Sequence, residues 1–441
     1  MTWTAFLTLD VAPMATAACC AATCALLGSW LLLRRMSLLG DAISHSVLPG
    51  LVAAFVITQS RSPLPMFVGG ATAGIVAAAL IELVRRVGKL ESGVAMGVIF
   101  SSSFALGLVM IRRVEGTMTA DLDADCVLYG ELSRIVWQPA AGVPHLSIAG
   151  LRSLPRELVA AGAVFFVTLA ATGAFKKELT AAAFDHAFAF TTGLRPALVS
   201  ALLVVLVAAS VVSSFEAVGS ILVIALLVCP AAAARFLTDR LGVQLVLSVA
   251  IGVSCAVLGY ILAATAPSTV GLPGAVSPSG SIAVCTGAAL VLAIVVGPKH
   301  GVVARRWRAL SLACKVAAED RLARMYRESE PTGSREIERE RFEPRVSWVV
   351  GWLATRSLVR QRLLEDVDNV PSLTAAGRAR ATELVRAHRL WEAYLVTNVG
   401  LRPDHVHDTA MRLEHLPPRL EPELEAALDP HNRPIPPRAT P

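Results

Sequence analysis

The stretch from residue 241 to residue 298, LGVQLVLSVAIGVSCAVLGYILAATAPSTVGLPGAVSPSGSIAVCTGAALVLAIVVGP, contains no Asp, Glu, Lys or Arg. An α-helix needs about 20 apolar residues to cross the hydrocarbon core of a bilayer, so this stretch is too long for one crossing. A segment rich in Pro, Gly and Ser, residues 266–281, divides it into two predicted membrane helices. The whole chain agrees, because 54% of its 441 residues are hydrophobic and only 17% are charged. These values exclude a disordered chain and an ordinary soluble protein.

Seven further uncharged stretches precede this one, and each is long enough, or nearly so, to cross a membrane. They cover residues 11–33, 42–60, 62–81, 92–111, 158–175, 196–215 and 217–234. The total predicts about nine transmembrane helices. Basic pairs such as Arg34 and Arg35, or Lys176 and Lys177, follow odd-numbered helices, and basic residues concentrate on the cytoplasmic side of membrane proteins. The N-terminus is therefore predicted outside and the C-terminus inside.

The composition changes at the end of the last apolar stretch. From Lys299 onward the chain carries 24 of its 40 basic residues and 20 of its 34 acidic residues, which is typical of a soluble segment. We therefore predict a transmembrane domain over residues 1–300 and a soluble domain over residues 301–441. The soluble part is predicted to form helices at about 311–328, 345–364, 373–398 and 404–416, with Ser372 or Thr374 capping the third.

The most informative local motif is GDAISHSVLPG, residues 40–50. Asp41 and His45 lie four residues apart, so on a helix they share one face. A carboxylate and an imidazole can bind Mn, Fe or Zn, and ionisable residues inside a membrane helix usually have a function. The alternative is a salt bridge at the helix terminus. Glu216, between two predicted helices, is a second candidate for the metal path, and its alternative is an interfacial loop carboxylate.

Several segments together resemble a known family, the membrane permeases of ABC importers for zinc, manganese and iron chelates. The most specific segment is RRMSLLGDAISHSVLPG, residues 34–50. The others are GVAMGVIFSSSFALGLVMI (93–111), VLYGEL (127–132), FDHAFAFTTGL (184–194) and AVGSILVIALLVCPAAAA (217–234). The resemblance covers about residues 10–300.

This resemblance implies a non-enzymatic, multi-pass subunit in the plasma (inner) membrane of a bacterium, surrounded by membrane lipid. It implies three protein partners: a separate ATP-binding subunit, an extracellular or periplasmic metal-binding protein, and a second permease copy or paralogue. The chain has no GxxxxGK[ST] motif and so no phosphate-binding loop of its own. By resemblance, the transport path contains Asp41 and His45, with Glu216 as the second candidate, and coupling to the ATPase involves Phe184, Asp185 and Gly193. No permanently bound cofactor is expected; Mn or Fe is favoured as the substrate, and Zn is possible.

A second resemblance lies in the soluble part, on LTAAGRARATELVRAHRLWEAYL (373–395) and VHDTAMRLEHL (406–416). These segments are similar to metal-dependent repressors of the diphtheria-toxin-repressor and manganese-repressor type. The fold implied is a degenerate winged helix followed by helices for dimerisation and metal binding. By position, the implied metal ligands are Asp320, Met411, Glu414 and His415 at a primary site, and His388, Glu392 and His407 at an ancillary site. The alternative is a polar, His-rich helix surface.

The segment that would read DNA in such a repressor, residues 346–359, is VSWVVGWLATRSLV. A recognition helix needs polar side chains that reach base edges, so this apolar sequence argues against DNA binding. The favoured function is a subunit of an ATP-driven importer of a divalent metal, with a cytosolic domain that senses metal and regulates transport. The alternative is a membrane-tethered, metal-responsive transcription regulator. A membrane metalloenzyme has no support, because the chain has no HExxH motif.

Overall fold

A computed structural model of the chain divides into two compact units, residues 1–304 and residues 305–441, which are described separately. The residues that the structure describes are 8–36, 38–59, 62–115, 130, 132–138, 147, 150, 152–184, 186–270, 276–329, 347–367, 370–402, 406, 409–410, 413 and 424.

The first unit is a helical bundle, and its described part contains nine helices long and apolar enough to cross a membrane, which confirms the predicted fold class. They are α1 (Val11–Leu33), α2 (Leu39–Thr58), α3 (Pro63–Gly88), α4 (Ser92–Glu115), α5 (Arg156–Ala174), α8 (Pro196–Val218), α9 (Ser220–Leu237), α10 (Leu241–Val270) and α11 (Pro278–Val296). Two short helices, α6 (Lys176–Phe184) and α7 (His186–Thr191), connect α5 to α8. A 3-10 turn, Leu132–Arg134, precedes α5.

Helix α1 lies at the centre of the bundle, and Leu27, Trp30 and Leu31 in it are completely buried. It packs closely against α9. A Cβ atom at Gly28 would collide with the backbone carbonyl oxygen of Leu227, so only glycine permits this approach of the two helices. Because bilayer lipid is as apolar as leucine, such close packing is what holds membrane helices together.

Successive membrane helices run in alternating directions, as contacts at the two ends of the bundle show. At one end, called the basic end, Arg34 after α1 donates a hydrogen bond to Ser200 near the start of α8. At the opposite end, the hydroxyl of Tyr260 in α10 donates to Asp10 before α1, at 3.1 Å. Helices α1, α3, α9 and α11 therefore end at the basic end, where α2, α4, α8 and α10 begin.

A cluster of charged side chains at the basic end joins the α9–α10 connection to the residues after α11. Asp239, between α9 and α10, accepts hydrogen bonds from His300 Nε2 at 2.8 Å and from Lys299 Nζ at 2.9 Å, just after α11. Arg235 approaches the same carboxylate at 3.1 Å. Hydrogen bonds from His300 and Lys299 lower the pKa of Asp239 to about 2.

The second unit contains α12 (Val302–Ser329, which begins just before the unit boundary), α13 (Trp348–Arg360), an antiparallel hairpin of β1 (Leu364–Val367) and β2 (Val370–Leu373), and α14 (Ala375–Thr397). In the hairpin, Leu364 pairs with Leu373. The core contains Leu322 of α12, Leu358 of α13 and Val385 of α14. A helix followed by a β-hairpin and a long helix is the arrangement implied by the resemblance to the repressors.

The predicted third helix of the soluble part is confirmed, and two others differ in extent. Thr374 caps α14 by accepting a hydrogen bond from Gly377 N at 3.0 Å. Helix α12 begins at Val302, earlier than the predicted residue 311, because no helix breaker separates its arginine-rich first turns from the rest. Helix α13 ends at Arg360, earlier than the predicted residue 364, because Arg362 adopts a left-handed backbone conformation with φ of 58° before β1. The predicted helix at 404–416 lies mostly outside the described residues.

Candidate metal path

Asp41 and His45 lie on the first two turns of α2, which begins at the basic end. His45 Nε2 lies 3.4 Å from Asp41 Oδ1, and the two side chains are 20% and 35% exposed, respectively. Gly40, the residue before Asp41, permits the first turn of α2 to pack tightly against α9, since a Cβ there would press on the side chain of Leu227. The spacing of four residues on one helix therefore brings a carboxylate and an imidazole together on a partly accessible face, as predicted.

Two aromatic rings from α4 surround the imidazole, and sequence reasoning missed them. The ring of His45 lies edge-on to Phe100, with centroids 4.8 Å apart, and edge-on to Phe104, with centroids 5.3 Å apart. The two Phe rings stack with an interplanar angle of 14°. Their spacing of four residues in the sequence was the available signal, but it does not say which helix they face. The rings limit the orientations that the imidazole can adopt.

The pair offers one oxygen donor and one nitrogen donor to a passing cation. Divalent transition metals in proteins usually have four or more ligands. Within the described residues, no group of three or more His, Cys, Asp or Glu side chains is arranged so that it could hold a metal ion. Asp41 and His45 therefore form a contact point with few protein ligands, which suits transient binding of a partly hydrated ion.

The other predicted path residue is far along the chain and at the opposite end of the bundle. Glu216 belongs to the last turn of α8, just before Gly219, where α8 meets α9. Its side chain lies outside the described part of the structure. The residues after α8 approach Gly130, where a Cβ would collide with the backbone of Val218. Glu216 and Asp41 are thus near opposite ends of their helices and do not form one site in this chain.

Two of the three predicted coupling residues, Phe184 and Gly193, lie at the basic end. Phe184 is the last residue of α6, and its side chain is 66% exposed. Gly193 has φ of 79° in the turn that leads into α8, a conformation that favours glycine. Asp185 lies outside the described residues. An exposed aromatic ring on a short helix between membrane helices is available for contact with another subunit.

In the second unit, residues 305–441, which we call the soluble unit, His388 and Glu392 of α14 form a buried pair. His388 Nε2 lies 3.2 Å from Glu392 Oε1, and the residues are 1% and 8% exposed. Asp320, on α12, is half-buried. The other predicted ligands, Met411, Glu414, His415 and His407, lie outside the described residues. The structure thus brings together one pair of the predicted ancillary ligands.

A separate contact between charged side chains joins α12 to α14. Arg380 donates hydrogen bonds to Glu319 at 3.0 Å and to Glu383 at 2.9 Å. Burial opposes the charge on Arg380, but its hydrogen bonds to Glu383 and Glu319 outweigh that effect and raise its pKa. Because Glu319 is only 8% exposed, this ion pair fixes the two helices at one relative position.

Comparison with known proteins agrees with both resemblances. Residues 8–143 and 147–297 match the model of a family described as "ABC 3 transport family". Residues 374–437 match a model described as "Iron dependent repressor, metal binding and dimerisation domain".

Relatives and a solved structure point the same way. The chain is 34% identical to the manganese transport system membrane protein MntD of Bacillus subtilis, over 68% of this chain and 96% of that protein. It is 28% identical to a probable metal transport system membrane protein of Chlamydia trachomatis, over 94% of this chain and 93% of that protein. A solved structure, PsaBC from Streptococcus pneumoniae in complex with Fab, superposes with a TM-score of 0.52 at 26% identity, covering 66% of this chain and 92% of the other.

Proposed function

This chain belongs to the ABC 3 transport family, and on that premise we propose that it is the membrane-spanning subunit of an ATP-driven importer of a divalent transition metal. The observation that carries the proposal is the Asp41–His45 pair on α2, 3.4 Å apart and partly accessible inside an apolar bundle. Placing ionisable groups in a membrane helix costs free energy, so such groups usually mark an ion path. ATP hydrolysis is assigned to a separate subunit, and an extracytoplasmic metal-binding protein delivers the ion.

The chemistry of the pair supports transient contact with the ion. The carboxylate of Asp41 supplies a hard oxygen donor, and the imidazole of His45 supplies a nitrogen donor one turn further along α2. Manganese and iron accept this combination readily, and zinc accepts it too. Relatives whose names specify manganese, zinc or chelated iron are all similar to this chain, so the donor set and the family allow the three metals, with Mn or Fe favoured.

The charge at the two ends of the bundle supports the proposed orientation. Arg34, Arg85, Lys176, Arg235 and Lys299 are all at the basic end, which the positive-inside rule assigns to the cytoplasm. The N-terminus then lies outside, and the soluble unit lies in the cytosol. Helices α6 and α7, which connect α5 to α8, then face the cytosol. This segment carries Phe184, Asp185 and Gly193 and is the proposed contact with the ATPase.

The test is uptake of radioactive manganese, iron or zinc by cells that express this chain with its ATPase and binding protein and lack their own importers. Asp41→Asn and His45→Gln should each reduce uptake at least tenfold without lowering the amount of protein in the membrane. Glu157→Gln is the matched control, because Glu157 is also an acidic residue in the first turn of a membrane helix but pairs with Arg156. Wild-type uptake in both Asp41→Asn and His45→Gln would remove the site.

The soluble unit is proposed to sense cytosolic metal and to reduce uptake when metal is abundant. The support is the match of residues 374–437 to the iron-dependent repressor model and the buried His388–Glu392 pair, which can exchange its mutual hydrogen bond for a shared cation. Met411, Glu414, His415 and His407, with Asp320, complete the proposed ligand set. Such feedback requires that the unit binds metal differently in two states of the transporter.

The regulatory part is tested by removing the soluble unit before α12, after Gly301, so that no helix is cut. The shortened chain should take up metal at an unchanged initial rate but should no longer slow down in cells preloaded with metal. His388→Gln together with Glu392→Gln should have the same effect. An unchanged response to preloading in both variants would refute the regulatory role and leave the transport proposal intact.

The surface of α13 argues against the alternative of a transcription regulator. Trp348 and Trp352 are 81% and 52% exposed, and Arg356 stacks over Trp352 at 5.0 Å from the ring centroid. Readers of the major groove present polar side chains at such positions. Retention of a specific DNA sequence by the full chain in detergent would favour the regulator instead.

A further inference from the structure

A cavity of about 660 Å³ opens at the basic end of the bundle. Its walls come from α1, α3 and α8, from the last residues of α6 and from the first residues of α2 and α4. Most of the lining is aliphatic, and it includes Leu39, Ile75, Ala201 and Val204. Because these helices cross the membrane, the occupant of an apolar cavity there must come from the bilayer or from another protein.

The mouth of the cavity is strongly basic. Arg34, Arg35, Arg85 and Arg86 line it together with a single carboxylate, that of Glu82. This carboxylate is already occupied, because Arg85 contacts it at 2.8 Å and Arg86 contacts the same oxygen. Four guanidinium groups against one carboxylate leave a net charge of +3 at the mouth.

Arg34 differs from the other three arginines because it is half-buried and has no acidic partner among the residues that the structure describes. Its Nη2 donates to Ser200 Oγ at 2.6 Å, while Ser200 donates its own proton to the carbonyl oxygen of Pro196 at 2.8 Å. A hydroxyl supplies no counter-charge. Removal of Arg34 from water lowers its pKa, so an anion at this place would relieve the cost of burial.

We propose that this cavity binds an acidic phospholipid, with its phosphate at Arg34 and an acyl chain against the aliphatic walls. Basic pockets between membrane helices on the cytoplasmic side are suited to anionic headgroups. Arginine binds phosphate through two parallel hydrogen bonds, and only one Nη of Arg34 is used by Ser200. The combination of an apolar wall and a basic mouth fits a lipid better than a soluble anion, which would gain nothing from the walls.

The site also has a consequence for coupling, and this step rests on the proposed function. Ala182, Ala183 and Phe184, at the end of α6, form part of the cavity wall. The same residues belong to the connection proposed to contact the ATPase. A lipid in the cavity therefore contacts that connection and supports its position, so ATP-driven uptake should depend on the acidic lipid content of the membrane.

The experiment measures lipid binding by the purified full chain in a mild detergent, by native mass spectrometry and by thermal unfolding. Phosphatidylglycerol should bind and raise the Tm in a dose-dependent way, and phosphatidylcholine should not. Arg34→Gln should weaken phosphatidylglycerol binding at least tenfold. Arg240→Gln is the control, because Arg240 is exposed at the same end but outside the cavity, and it should bind like the wild type.

A second variant leaves the basic mouth intact. Ala201→Phe fills the apolar wall, so it should also lose phosphatidylglycerol binding, and this reads out the cavity even if Arg34→Gln does not fold. Equal binding of the two lipids, wild-type affinity in both variants, or the same Tm shift with inorganic phosphate alone would overturn the proposal. A lipid-independent change of oligomeric state in Arg34→Gln would assign the cavity to a protein partner instead. Loss of lipid binding in a variant that takes up metal normally in cells would overturn the coupling step and leave the proposed transport function untouched.

Discussion

Replacement of Phe100 or Phe104 by leucine tests whether the aromatic rings prepare His45 for the metal. Leucine retains most of the apolar volume on α4 but removes the edge-on contacts at 4.8 Å and 5.3 Å. Such aromatic pairs contribute roughly 0.5–1.5 kcal/mol beyond their buried area. Without one ring, the imidazole gains orientations that point Nε2 away from Asp41. Restoring the productive orientation then costs free energy each time an ion binds.

The expected effect is a decrease in the maximal rate of metal uptake by about 2- to 13-fold for each single variant, with little change in KM. The assay is initial-rate uptake over a range of metal concentrations, with the amount of chain in the membrane measured in parallel. Phe166→Leu serves as the control, because Phe166 is a 68% exposed ring on α5 away from the site.

A double-mutant cycle separates this mechanism from a general packing effect. In a His45→Gln background, Phe100→Leu and Phe104→Leu should cause no further decrease in the maximal rate, because the ring that they orient is gone. Full additivity of the two effects would show that the Phe residues act through the fold of α4. A maximal rate that stays unchanged or rises in the single variants would refute the reasoning directly.

Three further predictions concern stability. Asp239→Asn should lower the Tm of the full chain; since the pKa of Asp239 is depressed to about 2, this difference is fully present above about pH 4 and shrinks as pH falls toward 2. Glu319→Gln should destabilise the soluble unit by about 1–2 kcal/mol, because it removes the buried one of the two carboxylates that pair with Arg380. Glu383→Gln, at an exposed position, should cost clearly less; hydrogen exchange in α14 measures both. Thr374→Ala should cost about 1 kcal/mol and speed exchange in the first turn of α14, and a smaller effect than that of Glu383→Gln would contradict the capping role.

The sequence predicts the membrane helices well because charge is so costly in hydrocarbon that charged residues mark where helices end. The stretch 196–215, for example, corresponds to α8, Pro196–Val218. The same criterion fails for α12, where charged residues inside a soluble helix do not mark an end. The Asp41–His45 pair is predictable because both groups lie on one helix. The Phe rings around His45 and the Arg34–Ser200 contact depend on how helices distant in sequence pack, which periodicity does not specify.

The position of Asp41 indicates that the proposed importer captures the ion and passes it through the membrane at different places. The carboxylate lies in the first turn of α2, where the unpaired backbone N–H groups of a helix carry a partial positive charge. The basic end around it adds further positive charge, and both compete with a cation for the carboxylate. A two-donor site in such a field holds a divalent ion weakly and releases it readily toward the cytosol. Tight capture of scarce metal is then the task of the delivering protein outside, and replacing Asp41 should slow the passage of the ion more than it weakens its capture.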